Sequence, residues 1–276
     1  MKTVLDFNPH EPDFMTALCQ MSLDAGKLIM AYYQNGVETE KKSDESPVTQ
    51  ADRDAETYLE AALNKLAPGI QVIGEEACAV AVPEQLDNCF FLLDPLDGTR
   101  DFVAKRTDFT VNIGLIVDEQ PIAGVIYAPV HEKLYFSGDD AAYMLELAPE
   151  AELDISKATK LQVPPIGAAG LRVIASLKHR APETDELISK LLIKESLSAS
   201  SSYKFCLLAE GKADLYPRHG RTMEWDTAAG QAILEAAGGI VTDTDHQPLT
   251  YAKLSRGLDN PSFIAATAHN WQDAEK

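Results

Sequence analysis

The chain has 276 residues, 45% hydrophobic and 24% charged, proportions of a globular protein long enough for one large domain or two packed halves. Its 43 acidic against 24 basic residues give a formal net charge of −19, a field that excludes nucleic acid polymers and anionic membrane surfaces as expected partners. No run approaches the roughly 18 apolar residues of a membrane span, and the start Met1-Lys2-Thr3-Val4-Leu5-Asp6 lacks the blocks of a signal peptide, so a cytoplasmic protein is expected.

In chain order, apolar residues at near-helical spacing predict a helix over 13–34, with Pro12 suited to its first turn. A second helix is predicted over 51–66, stopped by Pro68-Gly69. Strands follow at 70–73, 89–93, 110–117, 122–127 and 133–136, with hairpin connections at Gln120-Pro121 and Val130-His131, so this sheet should be largely antiparallel. Pro149, Pro164, Pro165, Gly167 and Gly170 cluster between the two halves, placed at 1–165 and 166–276. The second half alternates: strand 171–175, helix 182–192, a short strand near Ser196, helix 203–210, strand 214–216, helix 227–237, and strands 239–242 and 262–266. Layered sheets and helices with a cleft between the halves are expected. Cys19, Cys78, Cys89 and Cys206 contain no C-x-x-C pair, which argues against a zinc site and against a disulfide framework.

The chemistry centres on Asp94-Pro95-Leu96-Asp97-Gly98-Thr99, where an apolar strand ends in two carboxylates three residues apart. Pro95 fixes φ and removes a donor, and Gly98 permits a tight turn that can aim both carboxylates and the Leu96 carbonyl at one point. Such an all-oxygen set suits Mg²⁺ rather than zinc or copper. Taken alone, the segment is equally a strand-to-turn junction with solvated aspartates. An EF-hand is excluded, because Leu93 and Ala104 fall where that loop needs Asp and Glu. Gly74-Glu75-Glu76 likewise ends an apolar run in carboxylates, though a surface turn has the same appearance. Asp226 in Glu224-Trp225-Asp226-Thr227-Ala228-Ala229-Gly230 is a further candidate ligand or an ordinary N-cap, and the small residues after it allow close helix approach. In Ser46-Pro47-Val48-Thr49-Gln50-Ala51-Asp52, either Thr49 or Asp52 opens the following helix, or Asp52 orients a water together with Thr99.

The combination of Gly74-Glu75-Glu76, Asp94 through Thr99 and Trp225-Asp226-x-x-Ala229 resembles the inositol monophosphatase superfamily of lithium-sensitive phosphatases. Phe109-Thr110-Val111-Asn112-Ile113, the run from Gly124 to Val130, Lys204-Phe205-Cys206 and the run from Ala209 to Arg218 are similar to its CysQ branch of 3′(2′),5′-bisphosphate nucleotidases. The similarity extends from Asp13 to about Ala266.

The resemblance implies a sandwich of alternating helix and sheet layers like that of inositol monophosphatase and fructose-1,6-bisphosphatase. It implies that Glu75, Asp94 and the Leu96 carbonyl hold one Mg²⁺ while Asp94, Asp97 and Asp226 hold a second, with Glu75 also open to a third. Thr99, assisted by Asp52, would activate water, with Glu75 counted among the catalytic groups. Gly98, Thr99 and Asp226 would meet the scissile phosphate. His179, Ser201, Lys204 and Arg218 match positions that grip a second, 5′-phosphate. The chain departs from the branch at Leu177, where Arg is usual, and at Ser200, where Gly is usual.

The expected activity is Mg²⁺-dependent hydrolysis of adenosine 3′,5′-bisphosphate, or of its sulfated form, with an inositol 1-phosphate or sugar-phosphate monophosphatase as the alternative. Lys204 and Arg218 discriminate the two, because a monophosphate needs no second cationic site. A non-catalytic regulator is disfavoured by retention of the whole carboxylate set. Monomer and homodimer are both compatible with the apolar helix faces. Relatives suggest attachment to the cytoplasmic side of the inner membrane, for which the sequence offers no amphipathic anchor.

Overall fold

The computed structural model describes residues 7–42, 47–139, 141–175 and 181–274. Helix α1 (Pro12–Asn35) starts with Pro at its first turn, and α2 (Gln50–Leu66) is fixed by a capping box between Thr49 and Asp52. Between them lies a short antiparallel pair, β1 (Thr39–Lys41) and β2 (Pro47–Thr49). Strand β3 (Gln71–Gly74) leads into helix α3 (Glu75–Val80), and β4 (Cys89–Asp97) leads into helix α4 (Thr99–Val103). Strands β5 (Thr110–Val117), β6 (Gln120–Ala128), β7 (Lys133–Ser137), β8 (Ala142–Glu146) and β9 (Thr159–Leu161) complete a seven-stranded sheet in the order β3-β4-β5-β6-β7-β8-β9. All its pairings are antiparallel except β3 with β4, as the hairpin signals predict.

The remaining elements are β10 (Leu171–Ala175), α5 (Pro182–Lys190), β11 (Ile193–Ser198), α6 (Tyr203–Ala209), β12 (Leu215–Arg218), α7 (Ala228–Ala236), β13 (Ile240–Asp243) and β14 (Phe263–Ala266). They form a five-stranded mixed sheet in the order β11-β10-β12-β14-β13. The alternation read from the sequence is therefore present, each element within about two residues of its expected bounds.

Side-chain alternation along the strands builds the layers. Phe91, Leu93, Val111, Ile113, Leu115, Val125 and Tyr127 point to one face of the large sheet and pack against Leu18, Leu23 and Ile29 of α1 and Ala55, Leu59 and Leu63 of α2. From the opposite face Ile126, Ala128 and Tyr135 meet Phe205 and Cys206 of α6 and Ala229 and Ile233 of α7. The same cluster includes Tyr216, Val241 and Phe263 of the small sheet, so α6 and α7 lie between the sheets. Beyond the small sheet, Leu187 and Ile188 of α5 pack with Leu171, Val173 and Trp271. All four cysteines are buried and free.

Helix α7 reaches the large sheet through glycines. Gly114 and Gly124 are register partners on β5 and β6, and both lie under α7. A Cβ on Gly124 would stand 2.4 Å from the Ala229 carbonyl oxygen, and one on Gly114 would stand 2.7 Å from Ala228 Cβ. The expected close approach of Ala228-Ala229-Gly230 is thus real, and its counterpart is a pair of strand glycines. Gly124→Val should cost about 2–3 kcal/mol by overpacking and should also impair activity, because lifting α7 moves Asp226 just before it. Urea denaturation and phosphate-release assays check both.

Two features differ from the sequence expectation. Strand β4 does not stop at Leu93 but continues to Asp97 through a bulge, with Pro95 and Leu96 opposite the single residue Val111. Pro is tolerated there because a bulge leaves a ladder position unpaired. Glu75 and Glu76 do not sit in a surface turn but open α3.

Candidate metal centre

The bulge decides where the carboxylates point. Asp94 pairs with Asn112 and Asp97 with Thr110, so the two intervening residues re-aim the strand between its two acids. Asp94 is 2% exposed and takes Leu96 N–H on Oδ1 at 3.1 Å. Gly98, at φ 98°, then turns the chain into α4, and a Cβ there would lie 2.9 Å from the Asp108 carbonyl oxygen. That turn puts Thr99 Oγ1 2.9 Å from Asp52 Oδ1 and 3.1 Å from the Leu96 carbonyl. A hydroxyl has one proton, and the shorter, charge-assisted partner is Asp52.

Asp52 closes two contacts at once. Its Oδ2 accepts Thr49 N–H at 2.8 Å and Thr49 Oγ1–H at 2.7 Å, completing the cap of α2, while Oδ1 remains for Thr99. Asp52 thus closes the cap of α2, whose N-cap is Thr49, and also meets the Thr99 hydroxyl. Burial raises its pKa, against the lowering effect of the Thr49 bonds.

Glu75 is placed by a residue that sequence reasoning missed. Glu56 of α2 accepts Glu76 N–H at 2.8 Å and Ala77 N–H at 2.7 Å, satisfying the open first turn of α3. Gly74 makes room for it, since a Cβ there would fall 2.4 Å from Glu56 Cδ.

Glu75, Asp94 and Asp226 each bring one carboxylate oxygen within 4.8 Å of the other two. Asp226 is the last residue of a 3₁₀ turn (Glu224–Asp226) and accepts Met223 N–H on Oδ2 at 2.9 Å, so it caps that turn rather than α7. Asp97 stands beside this trio, with its Oδ2 held by Ser202 N–H at 2.6 Å and Ser202 Oγ at 2.5 Å. The same Oγ lies 2.7 Å from the Asp226 carbonyl and accepts Asn112 Nδ2–H at 2.9 Å. Ser202 therefore ties Asp97 to Asp226 across the two sheets.

Burial first, and the neighbouring carboxylates second, push Asp94 and Asp226 well above the usual range. Glu75 is also raised by burial, with Lys42 opposing the shift. One buried and two half-buried carboxylates with this mutual repulsion and only oxygen donors fit a hard divalent cation, which would remove the repulsion. Lys42, which carried no signal in the sequence, lies 2.6 Å from Glu75 Oε1 and 2.7 Å from Glu76 Oε1 and supplies one positive charge at the edge of the cluster.

The cluster lines a cleft of about 830 Å³ that is also lined by Gly98, Thr99, Ser201, Lys204 and Arg218. Ser201 adopts φ 53°, which brings its carbonyl oxygen within 2.6 Å of Lys204 Nζ. Lys204 is 3% exposed, lies 4.9 Å from the centre of the Tyr216 ring and has its pKa pushed down to about 8 by burial and the nearby Arg218 charge. The Arg218 Nε is buried and has no hydrogen-bond partner among the described residues. Ser200 N–H donates to Asp108 at 3.0 Å, so serine in place of glycine is accommodated by the loop. His179 and Leu177 lie outside the described residues.

A layered αβαβα sandwich whose cleft joins an acidic cluster able to hold a metal ion to the cations Lys204 and Arg218 is the arrangement of a phosphate-ester hydrolase. The inositol monophosphatase family model matches residues 11–274, and the chain belongs to that family. It is 39% identical to the 3′(2′),5′-bisphosphate nucleotidase CysQ of Salmonella typhimurium over 89% of this chain and 96% of that one. The corresponding protein of Haemophilus influenzae is 30% identical over 95% and 94%. Among solved structures, CysQ from Bacteroides thetaiotaomicron superposes with a TM-score of 0.77 at 36% identity, covering 92% of this chain and 97% of that one. The inositol monophosphatase of Zymomonas mobilis gives 0.74 at 26% identity, covering 97% and 98%. No helix among the described residues is long and apolar enough to cross a membrane.

Proposed function

We propose that the protein is a Mg²⁺-dependent 3′(2′),5′-bisphosphate nucleotidase that hydrolyses adenosine 3′,5′-bisphosphate to AMP and phosphate. The observation that carries this reading is a cleft lined by the acidic cluster together with the buried Lys204 and the half-buried Arg218. A substrate with one phosphate needs only the first. The printed names of the relatives point the same way.

On this reading residues 1–165 supply Asp52, Glu75, Asp94, Asp97 and Thr99, and residues 166–276 supply Asp226, Ser201, Lys204 and Arg218. Glu75, Asp94 and the Leu96 carbonyl would hold one ion, and Asp94, Asp97 and Asp226 another, with the free Asp97 oxygen turned from Ser202. When bound, Mg²⁺ lowers the pKa of water and neutralises charge that builds on the phosphoryl oxygens. Thr99 donates its proton to Asp52 Oδ1, leaving an Oγ1 lone pair that accepts a hydrogen bond from the attacking water and orients it. The raised pKa of Asp52 suits it to take up that proton through Thr99. Lys204 Nζ and the open Arg218 Nε–H would donate to the 5′-phosphate, with Ser201 shaping the loop between.

Phosphate release from adenosine 3′,5′-bisphosphate and from inositol 1-phosphate, measured across a Mg²⁺ titration, tests the assignment. Preference for the inositol ester would make the protein a monophosphatase of the same family. Thr99→Ala should lower kcat by about 10²–10⁴-fold with little change in KM, the usual range for losing a general-base relay. A fully active variant would remove Thr99 from the mechanism.

A further inference from the structure

Behind Asp226, on the side away from the cleft, stands a carboxylate that the mechanism does not use. Glu224 is 0% exposed. Its oxygens accept Ala252 N–H and Lys253 N–H, each at 2.9 Å, and Lys253 Nζ lies 2.8 Å from Oε1. Ala252 adopts φ 67°, a costly conformation for a residue with a Cβ, and this allows two successive N–H groups to converge on one carboxylate.

The segment 251–260 is thereby strapped over the turn that bears Asp226. Glu224 N–H donates to the Leu258 carbonyl at 2.9 Å. Asn260 Nδ2–H reaches the Met223 carbonyl at 2.7 Å and Thr227 Oγ1 at 3.0 Å, bracketing the turn on both sides. Tyr251 OH donates to Gln231 Oε1 at 2.8 Å in α7, and Tyr251 N–H to the Glu119 carbonyl at 3.0 Å in the β5–β6 hairpin. Within the turn, Met223 N–H is what holds Asp226 Oδ2. A shift of Met223 or Glu224 is therefore a shift of the Asp226 carboxylate.

We propose that Glu224 is a positioning residue for Asp226, acting through the buried Glu224–Lys253 pair to preset the strap-held turn for cation binding. This rests on the reading of Asp226 as a metal ligand. A buried ion pair is weak evidence for stability, since an apolar pair of similar volume often serves equally well. Its presence here is explained if it fixes a geometry that an apolar pair would leave loose. Partners that orient ligands commonly change metal affinity by about 10–100-fold when lost.

The test is a Mn²⁺ titration of the full chain, following free Mn²⁺ by electron paramagnetic resonance, with melts in EDTA alongside. Mn²⁺ is a suitable probe because it shares the oxygen preference of Mg²⁺. Glu224→Gln should weaken one class of bound Mn²⁺ by about 10–100-fold. The double variant Glu224→Leu/Lys253→Met removes both charges together, avoids a stranded buried ammonium, and should show the same weakening. Should Glu224→Gln fail to fold, the double variant decides. Wild-type Mn²⁺ affinity in the double variant, whatever its melting temperature, would reduce Glu224 to a packing role and overturn the proposal while leaving the metal centre intact. Absence of Mn²⁺ binding by the wild type would instead overturn the metal reading, and this inference with it.

Discussion

Asp94→Asn is expected to raise the melting temperature of the metal-free protein while abolishing phosphate release. Asp94 is almost wholly buried beside Glu75, Asp97 and Asp226, and burial and those charges disfavour its ionised form. Asparagine has nearly the same shape, keeps an Oδ1 acceptor for Leu96 N–H, and removes one negative charge from the cluster. In chelator the variant should gain about 1–2 kcal/mol, the size of a typical relieved active-site strain, or about 2–6 °C in a chain of this length. With Mg²⁺ the order should reverse, because the wild type gains binding free energy that the variant largely forgoes. The rate should fall by about 10³-fold or more, since metal charge stabilisation contributes several kcal/mol. Melts with EDTA and with Mg²⁺, paired with phosphate-release assays, check each part. A variant that is less stable in EDTA would show that the acidic cluster carries no strain for the cation to relieve.

Lys204→Ala should separate the two candidate substrates. Truncating one partner of a buried charge contact costs about 2–5 kcal/mol, so kcat/KM on adenosine 3′,5′-bisphosphate should drop by about 10²–10³-fold. Inositol 1-phosphate, which places nothing at that end of the cleft, should be turned over nearly as before. Equal losses on both substrates would mean that Lys204 only holds the Ser201 loop. The same group predicts a pH profile. With a pKa of about 8, depressed by burial, the free enzyme loses this positive charge as pH rises through that value. Because kcat/KM reports the free enzyme, the bisphosphate reaction should weaken above about pH 8. That limb should be missing in Lys204→Ala. Stability moves the other way: the unfolded lysine keeps its proton up to 10.5, so between about 8 and 10.5 the unfolded chain binds more protons. This group's contribution to stability therefore rises with pH across that window.

The sequence determined the order and type of nearly every long element, because helix periodicity, strand alternation, Pro12 and the Thr49–Asp52 cap all act within a few residues. It also supplied the candidate donors, since Glu75, Asp94, Asp97 and Asp226 carry hard oxygen atoms wherever they come to lie. Family resemblance joined them, while the physical reading of each motif alone left an ordinary cap or turn in play. Short elements such as β1, β8 and β9 carried too little pattern to be seen.

Only the tertiary structure decided how the donors converge. The turn expected after Leu93 is a bulge, whose register depends on β5 pairing across the sheet. Glu56 places the start of α3 by holding Glu76 N–H across 20 residues of chain, and Ser202 holds Asp97 across 105. Asn112, flanked by apolar residues in a buried strand, was the one visible hint of that last contact. Lys42 had none, because a lysine in a charged run looks solvated until folding brings Glu75 and Glu76 to it. Local propensity fixes elements, but hydrogen bonds between distant segments aim side chains. Asp94 through Thr99 thus becomes a candidate metal centre only when both sheets and the helices packed against them are in place.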